Sequence, residues 1–411
     1  MIQKSPTNNA IVVELENVRP HPNADRLQLA TVLGTTVVVG LDAKEGNVMV
    51  YFDANLCLLP AYLKVNNLYS NSEMNADTSA KGYFGVHGRV KAQRFRGEVS
   101  NGYVAPISSI QLTVAQETDA GSMSYLNVGD EFTHVEGVEI CQKYIPPNSG
   151  DPSMRAGGKH AKKNALDSDM FWKHWDTKQL MRERSRVGEG IVYTEEKIHG
   201  TSGRTGHVLC RVNQPWWKFW APKEEWKVVS GTRRVDGLSD IGPTFSHMPF
   251  ERQEVHSKLA PHLHKGEQVY YEIYGFAKGG IPVQDGYPYG CEPGQYKVML
   301  YRVTVTTPDG HCYDLSREQV YLRAEELGLV RPIVIRKAYY RDEEGFPPID
   351  DMLSDAEGRS FLDAGTLREG MVLWFQDSHG CWDCLKHKNP EFLMCESKGR
   401  DKGKGDVEDN L

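Results

Sequence analysis

No stretch of the sequence approaches the ~18 consecutive apolar residues that a membrane-spanning helix requires, which sets integral membrane proteins aside. The opening residues, Met1-Ile2-Gln3-Lys4-Ser5-Pro6, lack the apolar run of a secretory signal. Cysteine is sparse, with eight residues scattered from Cys57 to Cys395 in a chain of 411. That is too few for a disulfide scaffold of this size, so the cytoplasm or another reducing intracellular compartment is expected. Nor is there a surplus of positive charge: 48 Lys and Arg face 55 Asp and Glu, a net charge of −7. Coating of nucleic acid by bulk charge is therefore not the expected mode of action.

What is present is an ordinary globular composition, 39% hydrophobic and 25% charged. The length predicts two or three domains, each with its own core. Charge is distributed unevenly. Residues 151–234 hold 17 Lys and Arg against 10 Asp and Glu, so a basic centre lies in an acidic chain and suggests one face that meets phosphate; a solvated helix surface explains the same count equally well.

The first 135 or so residues read as β structure. Short apolar runs at Ile11–Leu15, Thr35–Val39 and Asn47–Phe52 are separated by Gly and Asn. Gly88–Gly97 alternates basic with apolar or small residues, as a half-exposed strand does. Strands of this length and spacing suggest a small barrel or sandwich, and an OB-type barrel fits the size. Leu63–Ala80 is aperiodic and rich in Asn and Ser, which predicts a long surface loop.

Pro146–Pro152 cannot continue a helix or a central strand, and a domain boundary is placed there. Beyond it, Gln179–Arg186, Phe250–His264 and Ser316–Leu327 are helix candidates, and Val269–Tyr274, Lys297–Val305 and Met371–Phe375 are strand candidates. Unequal insertions between strands indicate an α+β domain. The expected organisation is an OB-type domain over 1–140, a linker over 141–165, a second domain over 166–396 and a disordered tail over 397–411.

The informative segment is Glu195-Glu196-Lys197-Ile198-His199-Gly200-Thr201-Ser202. A lysine at a strand end, followed three residues later by glycine, lets the backbone approach a ligand beside an amine. Alone the pattern is weak, and Lys402-Gly403-Lys404-Gly405 repeats it in the tail. Its company strengthens it: Glu272 within Tyr271–Gly275, then Glu369-Gly370-Met371-Val372, then Leu385-Lys386-His387-Lys388.

This ordered set resembles the motifs of the covalent nucleotidyltransferase superfamily, which holds ATP-dependent ligases and messenger-RNA capping enzymes. Glu-Lys-Ile-His-Gly-Thr is similar to the nucleophile motif of RNA ligases. Arg19–Leu27, with its Pro-His-Pro-Asn-Ala-Asp, and Arg94–Gly102 resemble the OB domain that precedes the ligase module in one RNA ligase branch. The first of these also occurs in stand-alone tRNA-binding OB domains.

The resemblance implies an α+β protein in which an OB-type β-barrel precedes an antiparallel-sheet adenylyltransferase domain. It implies Lys197 as the nucleophile that takes AMP from ATP, and Glu195, Ile198, His199, Gly200, Arg233, Glu272, Val298, Glu369, Lys386 and Lys388 as nucleotide contacts. Glu272 and Glu369 would hold Mg²⁺ or Mn²⁺, since hard cations prefer oxygen ligands. Arg89, Lys91, Arg94 and Arg96 would grip RNA on the barrel, and the partners would be RNA ends or a nicked duplex. Many ligases carry Asp where this chain has His199, and Val298 or Met299 stands where a base-stacking aromatic is expected. A capping guanylyltransferase is the rival enzyme, although its OB domain normally follows the lysine domain; a non-catalytic RNA-binding protein is the rival from another class.

Three further features weigh less. Cys381-Trp382-Asp383-Cys384, near His379 and His387, has zinc-like spacing but no second pair, and a hairpin turn is the expectation. Trp216–Trp220 interleaves aromatics with a cation, as single-strand binders do, and a loop folded on its own core reads the same way. Arg234, beside Arg233, and His160–Lys163 are further basic candidates.

Overall fold

A computed structural model describes residues 1–118, 125–145, 168–174, 177–211, 217, 220, 224–233, 248–341 and 348–401. The Pro146–Pro152 bridge, His160–Lys163, most of Trp216–Trp220, Arg234 and the tail from 402 onward lie outside them. The chain divides into two units. The first joins the N-terminal residues to Pro390–Asp401, and the second is formed by the residues between them.

The N-terminal unit is built from short antiparallel strands. Its central strand, Ala10–Glu14, pairs with Val48–Phe52 on one side and Glu131–Phe132 on the other, and Tyr103–Pro106 extends the sheet. Both faces of the central strand are covered. Ala10 and Val12 pack with Phe52, Tyr62 and Phe132, whereas Ile11, Val13 and Leu15 pack with Val37, Val39 and Tyr51. This alternation over two apolar clusters is what a closed or nearly closed small sheet demands.

Two expectations for this unit are corrected. Leu63–Ala80 is not a plain loop: a helix over Pro60–Val65 leads into it, a 3₁₀ turn spans Ser72–Met74, and Tyr69 and Asn75 are buried. The tail is not wholly disordered, because Pro390–Asp401 is helical and packs Met394 on Ala54 and Ala92 of the first unit. Its Glu, Ser, Lys and Gly content hides two buried apolar side chains, Phe392 and Met394. The helix belongs to the N-terminal unit, although the organisation above placed 166–396 in one domain.

The second unit holds two five-stranded sheets. One runs Lys178–Gln179, Trp382–Lys388, Gly370–Gln376, Gly190–Lys197, Val334–Tyr340; the other runs Glu224–Gly231, Thr201–Arg211, Glu267–Gly275, Tyr296–Thr306, Cys312–Asp314. Among the described residues the strands of these two sheets pair antiparallel, except that Lys178–Gln179 runs parallel to Leu385–Lys386, where Gln179–Arg186 was expected to be helical. Only 3₁₀ turns follow there, at Leu180–Arg182 and Arg184–Arg186.

Helices Pro249–Leu259 and Arg317–Glu326 cover the back of the second sheet through Val255, Leu259, Val320 and Ala324. The second of these helices starts where Ser316 and Gln319 form a reciprocal capping box, which supplies partners for two otherwise unpaired backbone donors. In the first sheet Met371, Leu373 and Phe375 face the core, which turns Val372 and Trp374 toward the opposite side.

Candidate active site

The chain passes from one sheet to the other through Ile198-His199-Gly200, so the lysine motif sits where the two sheets meet. Strand register builds the site in rows. Lys197, Gly370 and Lys388 are cross-strand neighbours, as are Glu195, Val372 and Lys386, then Tyr193, Trp374 and Cys384. In the facing sheet Ser202, Glu272 and Met299 form one row.

Two glycines of the motifs have a steric reason. A Cβ at Gly200 would lie 2.3 Å from the Ile273 carbonyl oxygen, and one at Gly370 would lie 2.3 Å from the His387 carbonyl oxygen. Each therefore marks a backbone approach that no other residue allows.

Between the sheets lies an open cleft. Lys197, Lys386, Arg233, Glu272, Met299, Tyr301, Val372 and Trp374 line it. Lys197 Nζ donates to Glu369 Oε2 at 2.8 Å, Lys388 Nζ lies 3.6 Å from Glu369 Oε1, and His199 Nδ1 lies 3.7 Å from Glu369 Oε2. Glu272 Oε1 accepts from the Gly200 amide at 3.0 Å.

The electrostatics follow from this packing. Burial presses the Lys197 amine toward neutrality, but the carboxylates of Glu369 and Glu272 outweigh it and hold its pKa above the ordinary lysine value. Burial likewise raises the pKa of Glu369, yet Lys197, His199 and Lys388 together hold it below the usual carboxylate range. For Lys386 the attraction of Glu369 is the smallest influence and does not compensate. Burial, reinforced by Lys388, Lys197 and Arg233, brings it down to about 8. The cleft thus pairs one charged lysine with a second that titrates near neutrality, beside a cluster of cations suited to phosphate.

Among the described residues no group of three or more His, Cys, Asp or Glu side chains is arranged to hold a metal. The donor set is two carboxylates, Glu369 and Glu272. That fits a hydrated hard cation whose shell is completed by water and substrate phosphates, and does not fit a dedicated protein cage.

The structure thus brings Lys197, Ile198, His199, Gly200, Arg233, Glu272, Glu369, Lys386 and Lys388 together. Other expected residues are placed differently. Glu195 borders the cleft, but Arg317 holds its carboxylate bidentately at 2.9 and 2.6 Å and Tyr321 donates to it at 2.6 Å, so it is a structural anchor. Val298 points away into the apolar cluster with Leu300 and Val303. Strand alternation turns its neighbours Met299 and Tyr301 to the cleft instead.

The barrel residues differ most. Arg89 is buried, 4% exposed, donating to Asp401 at 2.5 Å and to the Ser397 carbonyl at 3.0 Å and stacking over Tyr144. Lys91 pairs with Asp401 and Arg94 with Glu391, so three of the four expected RNA contacts face the C-terminal helix; Arg96 stands exposed in the turn. The strand itself is short, Ala92–Phe95. His21 is also structural: its ring bonds the Phe95 carbonyl at 3.0 Å and accepts from the Asn23 amide. Cys384 packs with Tyr193 and Trp374 while Cys381 is exposed.

Sequence reasoning passed over Glu196, Tyr301, Val372 and Trp374 in the cleft lining. The signal for two of them was available, because period-two alternation from Gly370 puts Val372 and Trp374 on one face.

A cleft between two antiparallel sheets with a lysine at their crossing, and a separate unit of short β strands, make this an α+β chain. The comparisons agree on that fold. A family model of an OB-fold domain matches residues 10–107. Among solved structures the chain is similar to Naegleria gruberi RNA ligase with PPi, at 16% identity and a TM-score of 0.57, covering 95% of this chain and 99% of that one. It is similar to a mutant of the same ligase with ATP and Mn, at 16% identity and TM-score 0.57, covering 93% and 98%, and to another with AMP and Mn, at 16% and 0.57, covering 94% and 98%. No curated protein matches the chain. No helix among the described residues is long and apolar enough to cross a membrane.

Proposed function

We propose that the chain is an ATP-dependent RNA ligase that works through a lysyl-AMP intermediate. The Lys197 amine attacks the α-phosphorus of ATP; an N–P bond forms, the bond to pyrophosphate breaks, and AMP stays on the lysine. AMP then passes to an RNA 5′-phosphate, and a 3′-hydroxyl attacks that phosphate, expelling AMP and sealing the break.

The observation that carries this reading is the contact of Lys197 with Glu369 at 2.8 Å, beside Lys388, at a cleft that Lys386 and Arg233 also line. A primary amine attacks only when neutral, and Lys197 is held protonated by its carboxylate neighbours until their charge is offset. A divalent cation, Mg²⁺ or Mn²⁺, bound through Glu369 and Glu272 would supply positive charge that both offsets those carboxylates and screens the phosphates. Lys386 and Lys388 share one face of their strand and meet the charge that develops on the α-phosphate. Met299, Tyr301 and Val372 offer apolar and aromatic surface for the base.

On the N-terminal unit RNA contact falls to Arg96, with Lys91 and Arg94, whose exposed ion pairs are weak enough to exchange for phosphate. Incubation with α-labelled ATP and, separately, GTP tests the reading. Label from ATP alone supports a ligase, label from GTP alone a capping enzyme, and no label from either a binding protein.

A further inference from the structure

The link from Lys197 to Thr201 is held from outside. The His199 amide donates to the Tyr289 hydroxyl at 2.8 Å, and Gln284 Nε2 donates to the Gly200 carbonyl at 2.8 Å. Both side chains come from the segment 276–295, which runs between the strands Glu267–Gly275 and Tyr296–Thr306 and has no regular strand or helix of its own. Tyr289 is 1% and Gln284 5% exposed, so neither bond is open to competition from water.

Tyr289 also occupies the left-handed region at φ +50°, a costly conformation for a bulky residue that persists only where the surroundings over-determine it. Its ring packs edge-on to Tyr274 at 5.4 Å and shares a cluster with Ile198, while the Tyr287 ring meets the His199 ring edge-on at 4.9 Å. The strained residue, the two buried hydrogen bonds and the aromatic contacts all converge on the three residues that follow the lysine.

We infer that Tyr289 and Gln284 are positioning residues that fix the His199–Gly200 backbone and thereby the direction in which the Lys197 amine points. The inference rests on the adenylyltransferase reading. The link crosses between sheets, so it has no ladder partners of its own at His199 and Gly200; the Glu272 carboxylate and these two side chains satisfy it instead. Removing one bond leaves the link folded but free to shift, and a shift of about 1 Å in a reacting group costs up to about 100-fold in rate. Because neither side chain lines the cleft, nucleotide affinity is left in place.

Tyr289→Phe keeps the ring and deletes the acceptor; Gln284→Leu keeps the volume and deletes the donor. Single-turnover formation of the ATP adduct is measured across ATP concentrations, with thermal melting of each variant. Expected are rates at saturating ATP lowered at least about tenfold, KM for ATP within about twofold of wild type, and a Tm that falls but stays well above the assay temperature. Adduct rates within about twofold of wild type in both variants overturn the inference, as do losses that appear only as a raised KM or a lowered Tm. A wild-type chain that takes no label overturns the adenylyltransferase reading and this inference with it; a labelled wild type with unimpaired variants overturns this inference alone.

Discussion

Lys197 and Glu369, 172 positions apart, meet at 2.8 Å because Lys197 and Gly370 are register partners on adjacent strands. The glutamate is 2% exposed, and its carboxylate faces two lysines and a histidine. The contact stores the nucleophile in its protonated form.

Glu369→Gln should therefore separate two effects. Removing the carboxylate deletes the largest attraction that holds the Lys197 pKa up, so the amine becomes neutral at lower pH than in wild type. Labelling of ligand-free protein by an amine-acylating reagent, followed at Lys197 across pH, should show its midpoint moved downward. Adenylylation should nevertheless fall by about 100-fold or more, since metal and phosphate contacts are lost. A chelator should stop the wild type as well. An unmoved midpoint would mean that Glu369 does not set the state of the amine.

Arg89 and Arg96 make a contrasting pair. Arg89→Met removes the Arg89 donor from the Ser397 carbonyl and leaves Asp401 with Lys91 alone, and should cost about 2 kcal/mol of stability, seen as a lower Tm, with little change in the salt dependence of RNA binding. Arg96→Ala should leave Tm unchanged and reduce the slope of log affinity against log salt by about 1. The reverse pattern would restore Arg89 as an RNA contact.

His387 points away from the cleft between Lys386 and Lys388, and burial brings its pKa down to about 4 from an ordinary 6.5. The unfolded chain then binds more protons between those values, so the His387 contribution to stability should be flat above pH 6.5, fall as pH drops toward 4, and lose about 3 kcal/mol in all. His387→Leu should remove this component from the pH dependence of chemical denaturation. An identical pH dependence in both proteins would contradict the assignment.

The sequence motifs meet at one end of the cleft because they lie on regular strands, where register converts spacing into adjacency: Lys197, Gly370 and Lys388 fall in one row. Three features were hidden for physical reasons. Alternation around Val298 has two phases, and only the packed helices show that Val298 rather than Met299 faces the core. The basic residues of Gly88–Gly97 read as a nucleic-acid face because their acidic partners, Glu391 and Asp401, lie some three hundred residues away in sequence. The helix Pro390–Asp401 has the composition of a solvated tail and gains its stability from packing on the N-terminal unit.

That helix also changes how the units can be separated. A fragment starting near residue 150 and running to the C-terminus would strand Pro390–Asp401 without its partner, so the second unit should be cut to end at Asn389. Such a fragment should form the ATP adduct and seal RNA poorly, with a shallower salt dependence of RNA binding than the full chain. Equal sealing and equal slopes would remove the N-terminal unit from RNA recognition.

The most direct measurement is to incubate the full chain with α-labelled ATP and map the label by peptide mass spectrometry, alongside Lys197→Ala checked for folding by thermal melting. The account predicts AMP on Lys197 in the wild type and no adduct in the folded variant. A label on another residue, or a folded Lys197→Ala protein that is labelled as wild type is, would contradict it.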